Sequence, residues 1–209
     1  MTNDERAAEP GTIPGEGLVL QPWNDDILHA MASWGERGFP YNAFDMGFLR
    51  DPDRFAEFTA SLRNDARHLH FAAIEAGEPV GRVSVNLEDP AGLYLWGVHV
   101  PPEHEGRGVC RRMLAALIAW LAVRYPNRGL VLSANTFAER ALRLYRALGF
   151  AAVETRWLYD RALAEALALV PPNQRGPVSG HVRFHYGRWE VRTYLMRRPS
   201  GPPVVGSRF

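Results

Sequence analysis

The chain contains no lysine: its 24 residues of the Lys and Arg class are all arginine. A Schiff-base lysine, a catalytic lysine and a P-loop lysine are therefore excluded. The codon usage of a GC-rich genome is sufficient cause for that bias. Cysteine is nearly absent too. Cys110 stands alone, which rules out an intrachain disulfide and any CxxC metal or redox site. Excess charge is missing as well. A formal net charge of +1 argues against nucleic acid or an anionic membrane surface as partner. No long apolar run exists, since the longest, 113–123, has eleven residues and a bilayer span needs about 20. The polar start, MTNDERAAEPGTIPGEG, has no apolar stretch of the secretory kind. The expectation is a soluble, cytoplasmic protein.

What is present is ordinary globular composition, 209 residues with 46% hydrophobic, 19 Gly and 16 Pro. That length suits one well-packed domain. Residues 1–16 read as a flexible lead-in, 17–198 as a single domain and 199–209 as a loose tail. A first strand at 18–20 precedes a helix capped by Asn24 or Asp25, with Ile27, Leu28, Met31 and Trp34 on one apolar face. Asp51-Pro52 opens a second helix, to about Leu62. From His68 the period shifts to that of strands, at 70–74, 80–87 and 93–100, joined by tight turns. A long helix runs to about Arg124, a buried strand covers 130–132, and a helix at 137–148 stops at Gly149. Strands at 150–157 and 188–197 flank a segment, 158–187, too long for a simple turn, with a short helix at 160–170. The strand–helix–strand order across 93–133 predicts one parallel pair in an otherwise antiparallel sheet. The fold class is thus mixed α/β (α+β), with six to seven strands flanked by helices.

The stretch 98–112 reads Val-His-Val-Pro-Pro-Glu-His-Glu-Gly-Arg-Gly-Val-Cys-Arg-Arg. A strand ends at Val100 and a helix begins near Gly108, with Gly106 and Gly108 leaving the turn free of side chains. Bare main-chain N–H groups, a helix dipole and Arg107, Arg111 and Arg112 all favour an anion, a pyrophosphate being the natural fit. The spacing is not GxGxxG and lacks a ribose-binding acid, so a dinucleotide fold is disfavoured. On its own the turn is also compatible with a plain tight connection. Downstream, 133–150 carries a strand into a helix ending Leu-Gly-Phe, with Tyr145 one turn from its close. Alone, Tyr145 reads as a packing tyrosine.

Together these features resemble the GNAT superfamily of acyl-CoA-dependent N-acyltransferases. The first is similar to the family's R/Q-x-x-G-x-G/A pyrophosphate motif. The second is similar to its Asn…Ala…Leu-Tyr-x-x-x-Gly-Phe motif, and the resemblance covers about 18–157. Glu105 stands where the family usually has Arg or Gln, Cys110 where it has Gly or Ala, and Ala138 where many members have a second Asn. The resemblance implies acetyl-CoA as cofactor, bound by Val98, His99, Val100, Glu105, Gly106, Arg107, Gly108, Val109, Cys110, Arg111, Asn135 and Tyr145. It also implies that the parallel pair splays, leaving main-chain groups of Val98 and Val100 to pair with the pantetheine amides. A main-chain N–H near His99 or Val100 would stabilise the oxyanion, and Tyr145 would be the general acid on the departing thiolate.

No base stands out. By strand alternation Tyr94 shares a face with Val98 and Val100, and His99 points to the other side. His99 titrates in the right range but reads more readily as a structural histidine. Glu88 and Asp89, before the strand, could act through water. The acceptor wall implied by the resemblance comprises Trp34, Phe39, Tyr41, Phe44 and Asp45, with Tyr94, Trp157 and Tyr159. The segment 158–187 would lid that wall or form a homodimer contact. The implied acceptor is a primary amine, on a small molecule or a protein N-terminus. The alternative is a non-catalytic acyl-CoA-binding module.

Overall fold

The computed structural model describes residues 11–63 and 67–200. Residues 1–10 and 201–209, most of the expected lead-in and tail, lie outside the described residues. The strands are β1 (Ile13–Gly15), β2 (Leu18–Pro22), β3 (His68–Glu75), β4 (Glu78–Asn86), β5 (Leu93–His99), β6 (Leu130–Asn135), β7 (Ala151–Leu158), β8 (Val182–His185) and β9 (Arg188–Arg198). The helices are α1 (Asp25–Ala32), α2 (Pro52–Arg63), α3 (Val109–Arg124), α4 (Glu139–Ala147) and α5 (Arg161–Leu169). One sheet runs β1-β2-β3-β4-β5-β6-β9-β7, with β8 paired to β9. The pairing of β5 with β6 is parallel.

Nine strands exceed the six or seven expected, and two hairpins account for the difference. Residues 13–15, assigned to a flexible lead-in from sequence, instead form β1 and pair with β2. Gly17, at φ 66°, makes that turn. β8 was hidden in the 158–187 segment. It joins β9 through Tyr186 and Gly187, at φ 46° and 76°, and positive φ at both centres of a two-residue turn suits the twist of a hairpin.

Helix starts follow their caps. Asn24 Oδ1 accepts from the Ile27 N–H at 2.8 Å. Asp51 Oδ1 accepts from Asp53 and Arg54, and Asp160 Oδ1 from Leu163. α4 ends at Gly149, φ 88°, where the Phe150 N–H returns to the Tyr145 carbonyl at 3.0 Å. The main core lies between one sheet face and α3, which buries Met113, Leu114, Leu117 and Leu121. Each such leucine contributes roughly 1.5–3 kcal/mol, so Leu117→Ala would remove about 2–5 kcal/mol. A second cluster packs α1 and α2 on the opposite face. A third holds α5 against Phe137, Val178 and Val191, with Phe39 and Ala43 beside them.

β5 is not a regular strand. Gly97 sits at φ 60°, and the β4–β5 register jumps between Ser84↔Trp96 and Arg82↔His99. The extra residue resets the side-chain alternation. Leu93, Leu95, Val98 and Val100 all pack on the main core, whereas Tyr94 does not. The expectation that Tyr94 shares a face with Val98 and Val100 is therefore corrected, because a period of two survives only until a bulge interrupts it.

Candidate active site

Three local features converge where β5 and β6 part. The strands pair only at Leu93↔Leu130, Tyr94↔Val131 and Leu95↔Leu132. β6 then continues against β9 to Asn135↔Thr193, while β5 runs on to His99 beside β4. The result is a wedge in the sheet, open along the stretch that holds Val98 and Val100.

At the mouth of the wedge the chain turns into α3. Gly106 and Gly108 take φ 75° and 73°, which side chains rarely tolerate. A Cβ built at either would meet nothing within 4 Å, so open space faces the turn. No side chain caps α3, and its first internal bond is Arg112 N–H to the Gly108 carbonyl. The N–H groups of Val109, Cys110 and Arg111 are thus without helical acceptors, at the positive end of a 16-residue helix. An uncapped, side-chain-free helix start fits a pyrophosphate.

The arginines here divide into two kinds. Arg107 and Arg112 are both braced on Glu75, at 2.7 and 2.8 Å, and the hydrogen bond from Arg112 leads the lowering of that carboxyl's pKa. Their guanidiniums tie the turn to the end of β3. Arg111 is exposed and carries no such brace. Glu105 does not present a bare negative charge: its carboxylate meets Arg37 at 2.9 Å and Arg140 at 3.5 Å.

Tyr145 is buried on α4, edge-on to Phe150 with centroids 6.1 Å apart. Its pKa is raised above the usual phenol value by burial first, then by Cys110 and Tyr94. Cys110 is on the first turn of α3 and Tyr94 on β5, so both elements approach closely enough to be felt by the Tyr145 hydroxyl. Burial pushes the Cys110 thiol up to about 12, which makes it a small packing residue rather than a nucleophile. Asn135 ends β6, and its carbonyl accepts from the Ala138 N–H.

His99 is not a base. It is buried and stacked on Trp34, centroids 5.4 Å apart. Burial, followed by the charges of Arg82 and Arg37, lowers its pKa to about 2. Nδ1 lies 3.1 Å from the Arg37 guanidinium, which can only donate. The neutral ring therefore carries its proton on Nε2, which is buried without a partner. Glu88 and Asp89 stand farther back along the chain. They close the turn before Leu93, and the six strand steps to His99 span about 20 Å.

The acceptor-side residues separate as well. Trp34 belongs to the core, 5% exposed, with Nε1 donating to the Pro79 carbonyl. Asp45 is committed to Arg37: its side chain accepts from the Arg37 N–H at 2.6 Å and pairs with the guanidinium at 3.5 Å. Tyr41 is exposed, edge-on to Phe137, and Phe39 packs with α5. Phe44 and Tyr94 are half-buried. Trp157 lies under the Arg183 guanidinium and Tyr159 under that of Arg188.

Arg37 is the residue that sequence reasoning missed. From the loop after α1 it reaches Asp45, Glu105, His99 and the Val100 carbonyl. One side chain thereby ties the loop to both β5 and the glycine turn. Nothing in the run Trp-Gly-Glu-Arg-Gly marks it, since its partners lie up to 68 residues away.

Comparisons agree with this geometry. Residues 28–150 match the family model described as Acetyltransferase (GNAT) family. The chain is 31% identical over 138 residues to N-alpha-acetyltransferase 40 of Saccharomyces cerevisiae, covering 62% of this chain and 41% of that protein. It is 29% identical over 157 residues to N-alpha-acetyltransferase RimI of Mycobacterium tuberculosis, covering 73% and 79%. The chain thus spans less than half the length of the yeast relative. The fold is shared with spermidine N-acetyltransferase from Vibrio cholerae, solved in complex with CoA and spermine, at TM-score 0.59 and 14% identity over 88% of this chain and 96% of that one. It is shared also with the ribosomal-protein-S18-alanine N-acetyltransferase from Escherichia coli, at TM-score 0.55 and 16% identity over 91% and 98%.

Proposed function

The chain belongs to the GNAT family of acetyltransferases, and on that premise we propose that it transfers the acetyl group of acetyl-CoA to a primary amine of a small molecule or a protein N-terminus. One observation carries the reading. β5 leaves β6 after Leu95, and an uncapped helix start faces open space at the mouth of the gap.

The residues present fit the cofactor. Main-chain N–H groups of 105–111 would hold the pyrophosphate, with Arg111 beside them, and the edge of β5 at Val98, continued by Val100, would hold the pantetheine. Bound there, acetyl-CoA supplies an acyl thioester. Arg37 holds the Val100 carbonyl and so keeps that edge in one orientation. Tyr145 Oη keeps its proton at neutral pH, because its pKa is raised. It is the group that can donate to a departing thiolate, an effect of about 10²–10⁴-fold for a positioned acid. The α5 segment packs beside Phe39 and Ala43, which supports 158–187 as a lid on the acceptor side. A cytoplasmic setting goes with this reading, and among the described residues no helix is long and apolar enough to cross a membrane.

A second reading, an acyl-CoA-binding module without turnover, is favoured by one fact: two carboxylates near the wedge, Asp45 and Glu105, are paired to Arg37, and His99 stays neutral. An acceptor arriving as a free amine would need no strong base. The test is thermal stabilisation by acetyl-CoA, then thiol release with a panel of amines and N-terminal peptides. Stabilisation with release supports the enzyme, stabilisation without release on any amine supports the module, and neither overturns both.

A further inference from the structure

The face of β4 and β5 that looks toward the acceptor loop carries an imbalance of polar groups. Among the described residues, the buried side-chain atoms without a hydrogen-bond partner are Trp23 Nε1, Arg82 Nε, His99 Nε2 and Asp45 Oδ1. The first three are donors and the last is an acceptor. They are neighbours. Arg82 and His99 are cross-strand partners, the Arg82 guanidinium lies 5.9 Å from the Trp23 ring, and Arg37 links His99 to Asp45. Arg82 sits against the bulge itself: its Nη1 is 3.0 Å from where a Gly97 Cβ would be. Its guanidinium is thus beside the stretch of β5 that leaves β6.

Charge shows the same excess. Asp45 and Glu105 are shared among Arg37 and Arg140, and among the described residues no carboxylate lies within ion-pair distance of Arg82. Burial first and then the nearby charge of Arg37 lower its pKa to about 10, against a partial opposing pull from Asp45. A guanidinium whose Nε is buried without a partner is costly to hold, and pairing relieves the cost. Three donors around one fixed positive charge match the acceptor-only chemistry of a carboxylate. They mismatch a polycation, which would find its two nearest carboxylates already paired.

We propose that the acceptor amine carries a carboxylate, which docks on Arg82 with Trp23 and His99 as flanking donors. The inference rests on the N-acetyltransferase reading above and narrows its substrate class. The carboxylate could belong to an acidic side chain next to a peptide N-terminus or to a small amino acid, and matched pairs separate the two sources. The peptide pair is Ala-Asp against Ala-Asn at the N-terminus of an otherwise identical peptide. The small pair is β-alanine against its amide, and spermine serves as the polycation. In full-length protein, kcat/KM for the acidic member of at least one pair is at least tenfold that of its amide and exceeds that of spermine. Arg82→Gln brings the ratio close to one, whereas Arg82→Lys keeps most of it. Equal rates within both pairs, a preference for spermine, or a ratio untouched by Arg82→Gln would overturn the inference while leaving amine acetylation standing. Stabilisation by acetyl-CoA with no thiol release on any amine would overturn the acetyltransferase reading and the inference with it. Should Arg82→Gln not fold, the wild-type ratios alone decide.

Discussion

Replacing Arg37 by alanine tests how the acceptor loop is joined to the rest of the site. The guanidinium makes unequal contacts, and their burial sets the magnitude. Glu105 is 40% exposed, so losing that pair is worth about 0–1 kcal/mol. The Asp45 side chain is 5% exposed, and a buried carboxylate stripped of its counter-charge costs about 3–5 kcal/mol. The Val100 carbonyl loses a charged donor too, but it lines the wedge, where water can replace it. Asp45 therefore dominates, and Arg37→Ala should lose about 3–5 kcal/mol, which for a domain of this size lowers Tm by about 10 °C. Thermal and urea unfolding measure this directly. Glu105→Gln should shift Tm by only about 1–2 °C. The double variant Arg37→Ala with Asp45→Asn should recover at least half of the loss, since removing both charges leaves none unpaired. An Arg37→Ala protein that melts within about 2 °C of wild type, or losses that simply add in the double variant, would refute the reasoning.

Other outcomes follow from the same structure. Tyr145→Phe should lower kcat by about 10²-fold with little change in acetyl-CoA affinity, because the ring's packing on Phe150 survives; equal loss in both, by steady-state kinetics and calorimetry, would make the residue structural. Gly108→Val should weaken acetyl-CoA binding at least tenfold in a titration, since the space that its side chain would fill is free of protein atoms. The positive φ adds about 1–2 kcal/mol of instability, and unaltered binding would move the pyrophosphate elsewhere. His99, held neutral at a pKa of about 2, takes up its proton only on unfolding. Stability should therefore fall as pH drops below about 6.5, by up to ~1.4 kcal/mol per unit for this one group. His99→Gln should flatten that slope between pH 5 and 6.5, and an unchanged slope would show that other groups produce it.

The reach of sequence reading here tracks the distance over which each feature is encoded. Caps at Asn24, Asp51 and Asp160, the stop at Gly149 and the glycine turn at 106–108 each depend on residues within a few positions, and they were readable as such. The hairpin turn at Tyr186-Gly187 was local too, yet a tyrosine at positive φ gives no hairpin signal, so β8 went unseen. Gly97 was visible as a residue but not as a bulge, because only its register against β4 makes it one. That single offset changed which side Tyr94 faces.

Side-chain chemistry diverged further from expectation than the backbone did. Trp34 packs in the core, and the side chains of Asp45 and Glu105 hold Arg37, pairings that no residue type announces. Residue type told that Asp45 could meet a cation, and folding chose Arg37 over a substrate amine by bringing the loop onto β5. His99 had a histidine's ordinary range on paper, and burial beside two guanidiniums took it to about 2. The chain order of strands and helices, the glycine turn and the family motif are properties of neighbouring residues, and they stood in the sequence. Which charges cancel, which donors remain unpaired and where the sheet opens are sums over segments tens of residues apart. Those sums exist only once the chain is folded, because burial and pairing depend on what lies across the strand rather than along it.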